Sequence, residues 1–155
     1  MSNITFIRHQ QQTHHSLDPN IIDISEIPEY KYDIIICSPY RRCRETAIAF
    51  SKNGQTSIYV DIRISEFHGN KKIRGSFSDS TKEYLKYGEI PLHEDWENFT
   101  KRVDDFCNSL LPIKGNVLIV THGIVVKYLE EKLLGTTTYK RGRHVPFMKG
   151  FTLDC

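Results

Sequence analysis

Two histidines stand at the ends of short apolar runs that lie far apart in the chain. Asn3-Ile-Thr-Phe-Ile7 leads into Arg8-His9, and Asn116-Val-Leu-Ile-Val120 leads into Thr121-His122-Gly123. An imidazole beside a guanidinium is chemistry for a phosphate. The guanidinium fork bonds phosphate oxygens in pairs and stays charged, while a neutral imidazole offers a lone pair. A second basic group occurs in Ser38-Pro-Tyr-Arg-Arg-Cys-Arg44, where Arg42 falls one turn into a helix expected to begin at Ser38. Backbone N–H groups and the helix dipole would there add to the Arg42 charge and make an anion site. A carboxyl candidate, Glu66, lies in Ile64-Ser-Glu-Phe-His-Gly69.

These groups meet only if the runs before them are strands of one sheet, because in an open α/β sheet ligands bind outside the carboxyl ends of the strands. The patterning supports this. Residues 3–8 read as a first strand, and Tyr32–Cys37 as a continuous apolar run buried on both faces. Ser38-Pro39 is a helix-start signal, so a helix is expected over Tyr40–Lys52, ended by Asn53-Gly54. Ser57–Val60 reads as a strand. Residues 61–93 read as irregular, with a short helix near Thr81–Lys86. Trp96, Phe99, Val103, Phe106 and Leu110 recur at helical spacing, placing a helix over Glu94–Leu111. Val117–Val120 is a further strand, Ile124–Leu134 a helix stopped by Gly135, and Gly150–Leu153 a last strand. Strands alternating with helices predict an α/β fold, a three-layer α/β/α sandwich around a mostly parallel sheet with a minimal cap.

Length and composition bound the remaining choices. A chain of 155 residues suits one domain, and 39% apolar with 26% charged residues is ordinary for a globular protein. A net charge of +2 is too small to point to nucleic acid, so basicity matters only where it is local. Cys37, Cys43, Cys107 and Cys155 form no C-x-x-C pair, which suggests a reducing, cytoplasmic setting. No apolar run reaches transmembrane length, and Arg8 follows the first apolar stretch rather than leading it as in a signal peptide. His14, His15, His68, His93 and His144 each read as surface residues.

The ordered segments Phe6-Ile-Arg-His9, Ser38-Pro-Tyr-Arg-Arg-Cys-Arg-Glu-Thr-Ala47, Ile64-Ser-Glu66 and Val120-Thr-His-Gly123 carry a resemblance. The chain resembles the histidine phosphatase superfamily, also called phosphoglycerate mutase-like. Its pattern runs strand-R-H-G, S-P-x-x-R-x-x-Q-T-A, L-x-E and strand-[ST]-H-G. The stretch Glu94–Val103 also looks like that family's helix before the last motif. The resemblance implies that His9 is a nucleophile forming phosphohistidine, with Arg8, Arg42 and His122 holding the phosphoryl oxygens. Glu66 would protonate the leaving oxygen and then activate water. His15, six residues after His9, stands where many relatives carry an Asn that touches phosphate. The same resemblance implies no metal and no cofactor. The substrate would be a small phosphorylated metabolite, a nucleotide or a phosphoprotein, with no nucleic-acid or membrane partner.

Departures cluster after His9. Relatives commonly read R-H-G-E-[ST], whereas this chain reads Arg8-His-Gln-Gln-Gln-Thr13. Gly permits unusual backbone angles and close approach that Gln10 does not allow cheaply. Glu45 stands for the usual Gln before Thr46-Ala47, and the intervals from His9 to Ser38 and from Phe67 to His93 are short. A small cap favours hydrolysis over a mutase's internal transfer. Gln10 to Gln12 leave open a phosphate-binding module of weak activity. Other phosphate chemistries fit less well. A cysteine phosphatase needs C-x-x-x-x-x-R, and counting from Cys37 reaches Cys43. A two-histidine phosphodiesterase needs a second H-x-[ST], which His122-Gly123-Ile124 does not supply. A metal hydrolase using His9, His14 and His15 lacks an accompanying carboxylate motif.

Overall fold

The computed structural model describes residues 3–10, 32–51, 55–67, 94–110, 112–136, 138 and 145–154. Its elements in chain order are β1 (Asn3–Arg8), β2 (Ile34–Cys37), α1 (Arg41–Phe50), β3 (Ser57–Val60), α2 (Trp96–Leu110), β4 (Asn116–Thr121), α3 (Gly123–Leu134) and β5 (Gly150–Asp154). The strands form one five-stranded sheet in the order β3-β2-β4-β1-β5. Every neighbouring pair is parallel except β1 with β5.

Alternation along the strands builds the layers. Leu118 and Val120 of β4 face Cys43, Ala47 and Phe50 of α1, together with Ile35 and Cys37. Val117 and Ile119 point the other way, toward Phe99, Val103 and Phe106 of α2 and Val125 and Leu129 of α3. The sheet thus lies between α1 on one face and α2 with α3 on the other, a three-layer α/β/α sandwich. Gly135, at φ 67°, ends α3 as expected by donating its N–H to Glu131. Gly150 opens β5 because a Cβ there would lie 1.7 Å from the Phe6 carbonyl oxygen.

Two helix starts differ from expectation. α1 begins at Arg41, not at Pro39 or Tyr40, and Tyr40 holds the cap position without a side-chain cap bond. Ser38 is engaged elsewhere, as described below. α2 begins at Trp96 rather than Glu94, because the Asp95 carboxylate accepts the Asn98 N–H at 2.7 Å and caps it there. Asn53-Gly54, the short helix near Thr81–Lys86 and the small cap lie outside the described residues, as do His14, His15, His68, His93 and His144. Among the described residues no helix is long and apolar enough to cross a membrane.

Candidate active site

Strand register brings the histidines together. Arg8 pairs with Thr121 across β1 and β4, so the next residues, His9 and His122, leave the sheet side by side. The His9 N–H donates to the Thr121 carbonyl at 3.0 Å. Cys37 pairs with Val120 across β2 and β4, and the Ser38 N–H donates to Val120 at 3.0 Å, which sets Ser38 on the other side of His122. The imidazole centroids of His9 and His122 are 5.5 Å apart, with planes at 67°.

Arg42 ties the constellation. Its Nε donates to His9 Nε2 at 3.0 Å and its Nη2 to Glu66 Oε2 at 2.6 Å. Nη2 also faces His122 Nδ1 at 3.5 Å. The guanidinium lies over the Tyr40 ring, 4.4 Å from its centroid, and Tyr40 stacks edge-on against His122 at 4.7 Å. Thr46 steadies both sides, donating to the Arg42 carbonyl at 2.7 Å and accepting from the Gln10 N–H at 3.1 Å. Four of the expected residues, His9, Arg42, Glu66 and His122, therefore form one bonded group. His15 lies outside the described residues.

The imidazoles have defined roles in that network. His9 Nδ1 donates to the Gln10 carbonyl at 2.7 Å, so Nε2 carries the lone pair that Arg42 meets. Burial, reinforced by the Arg42 charge, pushes the His9 pKa down to about 3, so the ring is neutral at neutral pH. His122 is fully buried, and burial with the Arg42 charge holds it well below its ordinary range. Because guanidinium N–H faces its Nδ1, its Nε2 carries the proton and donates to Ser38 Oγ at 2.8 Å. The Ser38 hydroxyl therefore serves His122 first, and it also accepts the Tyr40 N–H at 3.5 Å just ahead of α1.

Arg8 occupies the same edge by different means. Its Nη1 donates to the Val145 carbonyl at 2.7 Å, and its guanidinium lies 3.9 Å from the Phe147 ring centroid. The Phe147 ring also stands 5.6 Å from His9. Arg8 Nε is buried and has no hydrogen-bond partner among the described residues. Burial works against its charged form, whereas the nearby Glu66 carboxylate favours it. The turn that holds Arg8 is strained at Met148, φ 63°, whose N–H donates to the Arg8 carbonyl at 2.9 Å.

Tyr40, Val145, Phe147, Arg102 and Glu94 are not singled out by the sequence, and Thr46 stands out only as a position of the S-P-x-x-R-x-x-Q-T-A pattern. A signal existed for one of them. Arg102 falls on the apolar stripe of α2, three residues from Phe99 and next to Val103, where a charge must have a buried purpose. Glu45, which stands for the usual Gln of the pattern, accepts from Arg41 Nε at 2.8 Å along α1.

The fold and the placement of these groups define a three-layer α/β/α protein with paired histidines and cations at the carboxyl edge of a mostly parallel sheet. The sequence matches the histidine phosphatase superfamily (branch 1) over residues 25–147, a span that holds Arg42, Glu66 and His122. The chain belongs to that superfamily. Solved structures agree on the fold. Bacillus stearothermophilus YhfR aligns at TM-score 0.63 and 18% identity, over 97% of this chain and 88% of that one. Phosphoglycerate mutase from Bacillus anthracis str. Sterne aligns at 0.61 and 18% identity, over 92% and 85%. A putative alpha-ribazole-5'-P phosphatase from Escherichia coli str. K-12 substr. MG1655 aligns at 0.60 and 18%, over 87% and 80%. At such identities the likeness is one of fold. No curated protein sequence matches the chain.

Proposed function

We propose that the chain is a phosphatase that hydrolyses phosphomonoesters, or phosphohistidine, through a covalent phosphohistidine on His9. One observation carries this reading: a buried, neutral imidazole has its lone pair fixed at Nε2 by a backbone bond at Nδ1, within 3.0 Å of a guanidinium that also holds a carboxylate. That is an activated nucleophile, an anion-binding group and a proton carrier in contact.

In the first step the Nε2 lone pair of His9 forms the P–N bond as the P–O bond to the leaving group breaks. Glu66, released from Arg42 as the phosphoryl group enters, takes the proton of a monoanionic substrate and passes it to the departing oxygen. Arg42 exchanges its bond to Nε2 for phosphoryl oxygens, and the buried Nε–H of Arg8, unpartnered among the described residues, supplies a further donor. His122 meets a phosphoryl oxygen through Nδ1–H, an arrangement the Ser38 hydroxyl accommodates because it donates as readily as it accepts. In the second step the Glu66 carboxylate takes a proton from water. The water oxygen bonds to phosphorus, the P–N bond breaks, and inorganic phosphate leaves with the proton that Glu66 took, so that His9 is neutral and Glu66 a carboxylate again. Cationic side chains neutralise the developing charge throughout, so the reading assigns no role to a metal.

Hydrolysis is favoured over internal transfer because the chain between His9 and Ser38 and beyond Phe67 is short for an enclosing cap. Neighbours of the fold carry both kinds of name, phosphatase and mutase. The substrate class we propose is a small phosphorylated metabolite, a nucleotide or a phosphorylated protein side chain.

The test is turnover of an aryl phosphate with acid quench. We expect hydrolysis that survives a chelator, acid-labile phosphate on His9, and a loss of at least about 10³-fold in His9→Ala. Wild type as inactive as His9→Ala across a broad phosphomonoester panel would replace this reading with a phosphate-binding module. Label trapped on another residue would overturn the assignment of the nucleophile.

A further inference from the structure

Glu66 follows the 3-10 turn Ile62–Ile64 and lies in neither helix nor strand, so no ladder holds its backbone. Side chains do so instead. Arg102 Nη1 donates to the carbonyls of Arg63 and Ser65, both at 2.8 Å, and its Nη2 to the carbonyl of Glu66 at 3.0 Å. The carbonyl between them, Ile64, accepts from Thr121 Oγ1 at 2.7 Å. Every carbonyl from Arg63 to Glu66 is thus bonded to a side chain of α2 or β4.

The rest of the Arg102 fork is committed to Glu94. Nε donates to Oε2 at 2.8 Å and Nη2 to Oε1 at 2.5 Å, with Glu94 only 3% exposed. The guanidinium also lies 4.8 Å from the Phe99 ring centroid, so its plane is fixed. A buried ion pair is a poor choice for stability alone, since well-packed apolar residues commonly do as well. A rigid fork offers something an apolar side chain cannot: donors at set angles to several carbonyls at once.

We propose that Arg102, held by Glu94 and assisted by Thr121, is a positioning residue that sets the Glu66 carboxylate against Arg42 and the reacting phosphoryl group. The inference rests on the reading of Glu66 as acid and base given above. It gives Arg102 no contact with substrate. Its effect passes through the Glu66 backbone to a carboxylate that must reach the leaving oxygen.

The test uses kcat/KM, which reports transfer to His9, on two substrates: an aryl phosphate whose leaving oxygen needs little protonation and an alkyl phosphate that needs an acid. Arg102→Lys and Thr121→Val are each made alone and combined with Glu66→Gln, with thermal unfolding of every variant. Arg102→Lys should lose about 30-fold on the alkyl phosphate and less than about threefold on the aryl phosphate. In the Glu66→Gln background Arg102→Lys should change neither value further, since both changes remove one effect. Thr121→Val, which alters no charge, should show the same pattern at about threefold and carries the test should Arg102→Lys fail to fold. Equal losses on both substrates, or full additivity with Glu66→Gln, would show a merely structural role and overturn the proposal. Glu66→Gln losing the alkyl substrate selectively upholds the acid reading whatever the Arg102 result. Wild type active on neither substrate overturns that reading, and this inference with it.

Discussion

His9 and Glu66 reach the same guanidinium from regions built on opposite principles. On the side of His9, the proposed nucleophile, regular structure does the placing. β1 and β4 are hydrogen-bonded in register up to the residue before each histidine, and α1 carries Arg42 on a rigid turn. On the side of Glu66, the proposed acid, the chain leaves a single 3-10 turn at Ile64 and is irregular at Ser65 and Glu66, and one buried arginine and one threonine bond every carbonyl from Arg63 to Glu66. A strand end is fixed by many backbone bonds and survives the loss of any one. A segment clamped by side chains depends on a few, and each is a single substitution away from failure. The nucleophile should therefore be robust in place and sensitive in electrostatics, whereas the acid should be sensitive in place.

The largest expected effect breaks the junction between the two regions. Arg42 touches His9, Glu66 and His122, so Arg42→Ala should lower kcat/KM by about 10³-fold, in line with removal of a donor aimed at developing charge. Arg42→Lys should recover little of it, because an ammonium on a flexible stem cannot bond both neighbours in the plane of the fork. Recovery to within about threefold of wild type would mean that charge alone matters and that the bridging geometry does not.

A second, smaller contrast concerns protons. With burial and Arg42 holding His9 near a pKa of about 3, the free protein keeps this imidazole, the proposed nucleophile, neutral far below the ordinary imidazole range. An unperturbed histidine would lose about 50-fold in kcat/KM between pH 6.5 and 4.5, whereas His9 should impose no such limb. The His9 ring signal in NMR should likewise not titrate over that interval. A titration centred near 6.5 would refute the burial argument. The linked effect on stability has a definite sign. The unfolded chain takes up the protons that folded His9 and His122 refuse, so their contribution is complete above about pH 6.5 and declines below it, for His9 until about pH 3. Arg42→Gln should move the His9 titration upward, which separates the charge effect from burial.

Legibility in the sequence follows the same division. Short apolar runs reveal buried parallel strands, and strand ends reveal where a site must lie, so Arg8, His9 and His122 stand out from patterning alone. Ser38 is legible as important, but the role its sequence context suggests is the lesser part of what it does. A hydroxyl before Pro signals a helix start, yet this hydroxyl is bonded to a histidine 84 residues away. Glu66 has only a weak local signal, a carboxylate shortly after a strand where most carboxylates are solvated, and the family pattern is what gives it a role. The turn that grips Arg8 is silent too. Nothing in Val145-Pro-Phe-Met-Lys149 announces a left-handed methionine or an aromatic ring under a guanidinium. What stays hidden is contact made by side chains across long sequence separations, which no period or propensity encodes.

The smallest expected effect falls on the residue that departs most visibly from the family pattern. Gln10 stands where relatives commonly carry Gly, and a side chain there would matter if the backbone needed a positive φ or if the site needed the space. The first condition does not hold: Met148 is the non-glycine residue with positive φ among the described residues. Gln10 also contributes through its main chain. Its carbonyl takes the His9 Nδ1–H and its N–H donates to Thr46, bonds that any residue can make. Gln10→Gly should therefore leave kcat within about twofold of wild type, while the freer backbone lowers stability by about 0.5–1 kcal/mol. A rise of tenfold or more in kcat would show instead that the Gln10 side chain obstructs the in-line approach to His9. The nucleophile's orientation would then depend on side-chain clearance, as the acid's does, and the contrast between the two regions would narrow.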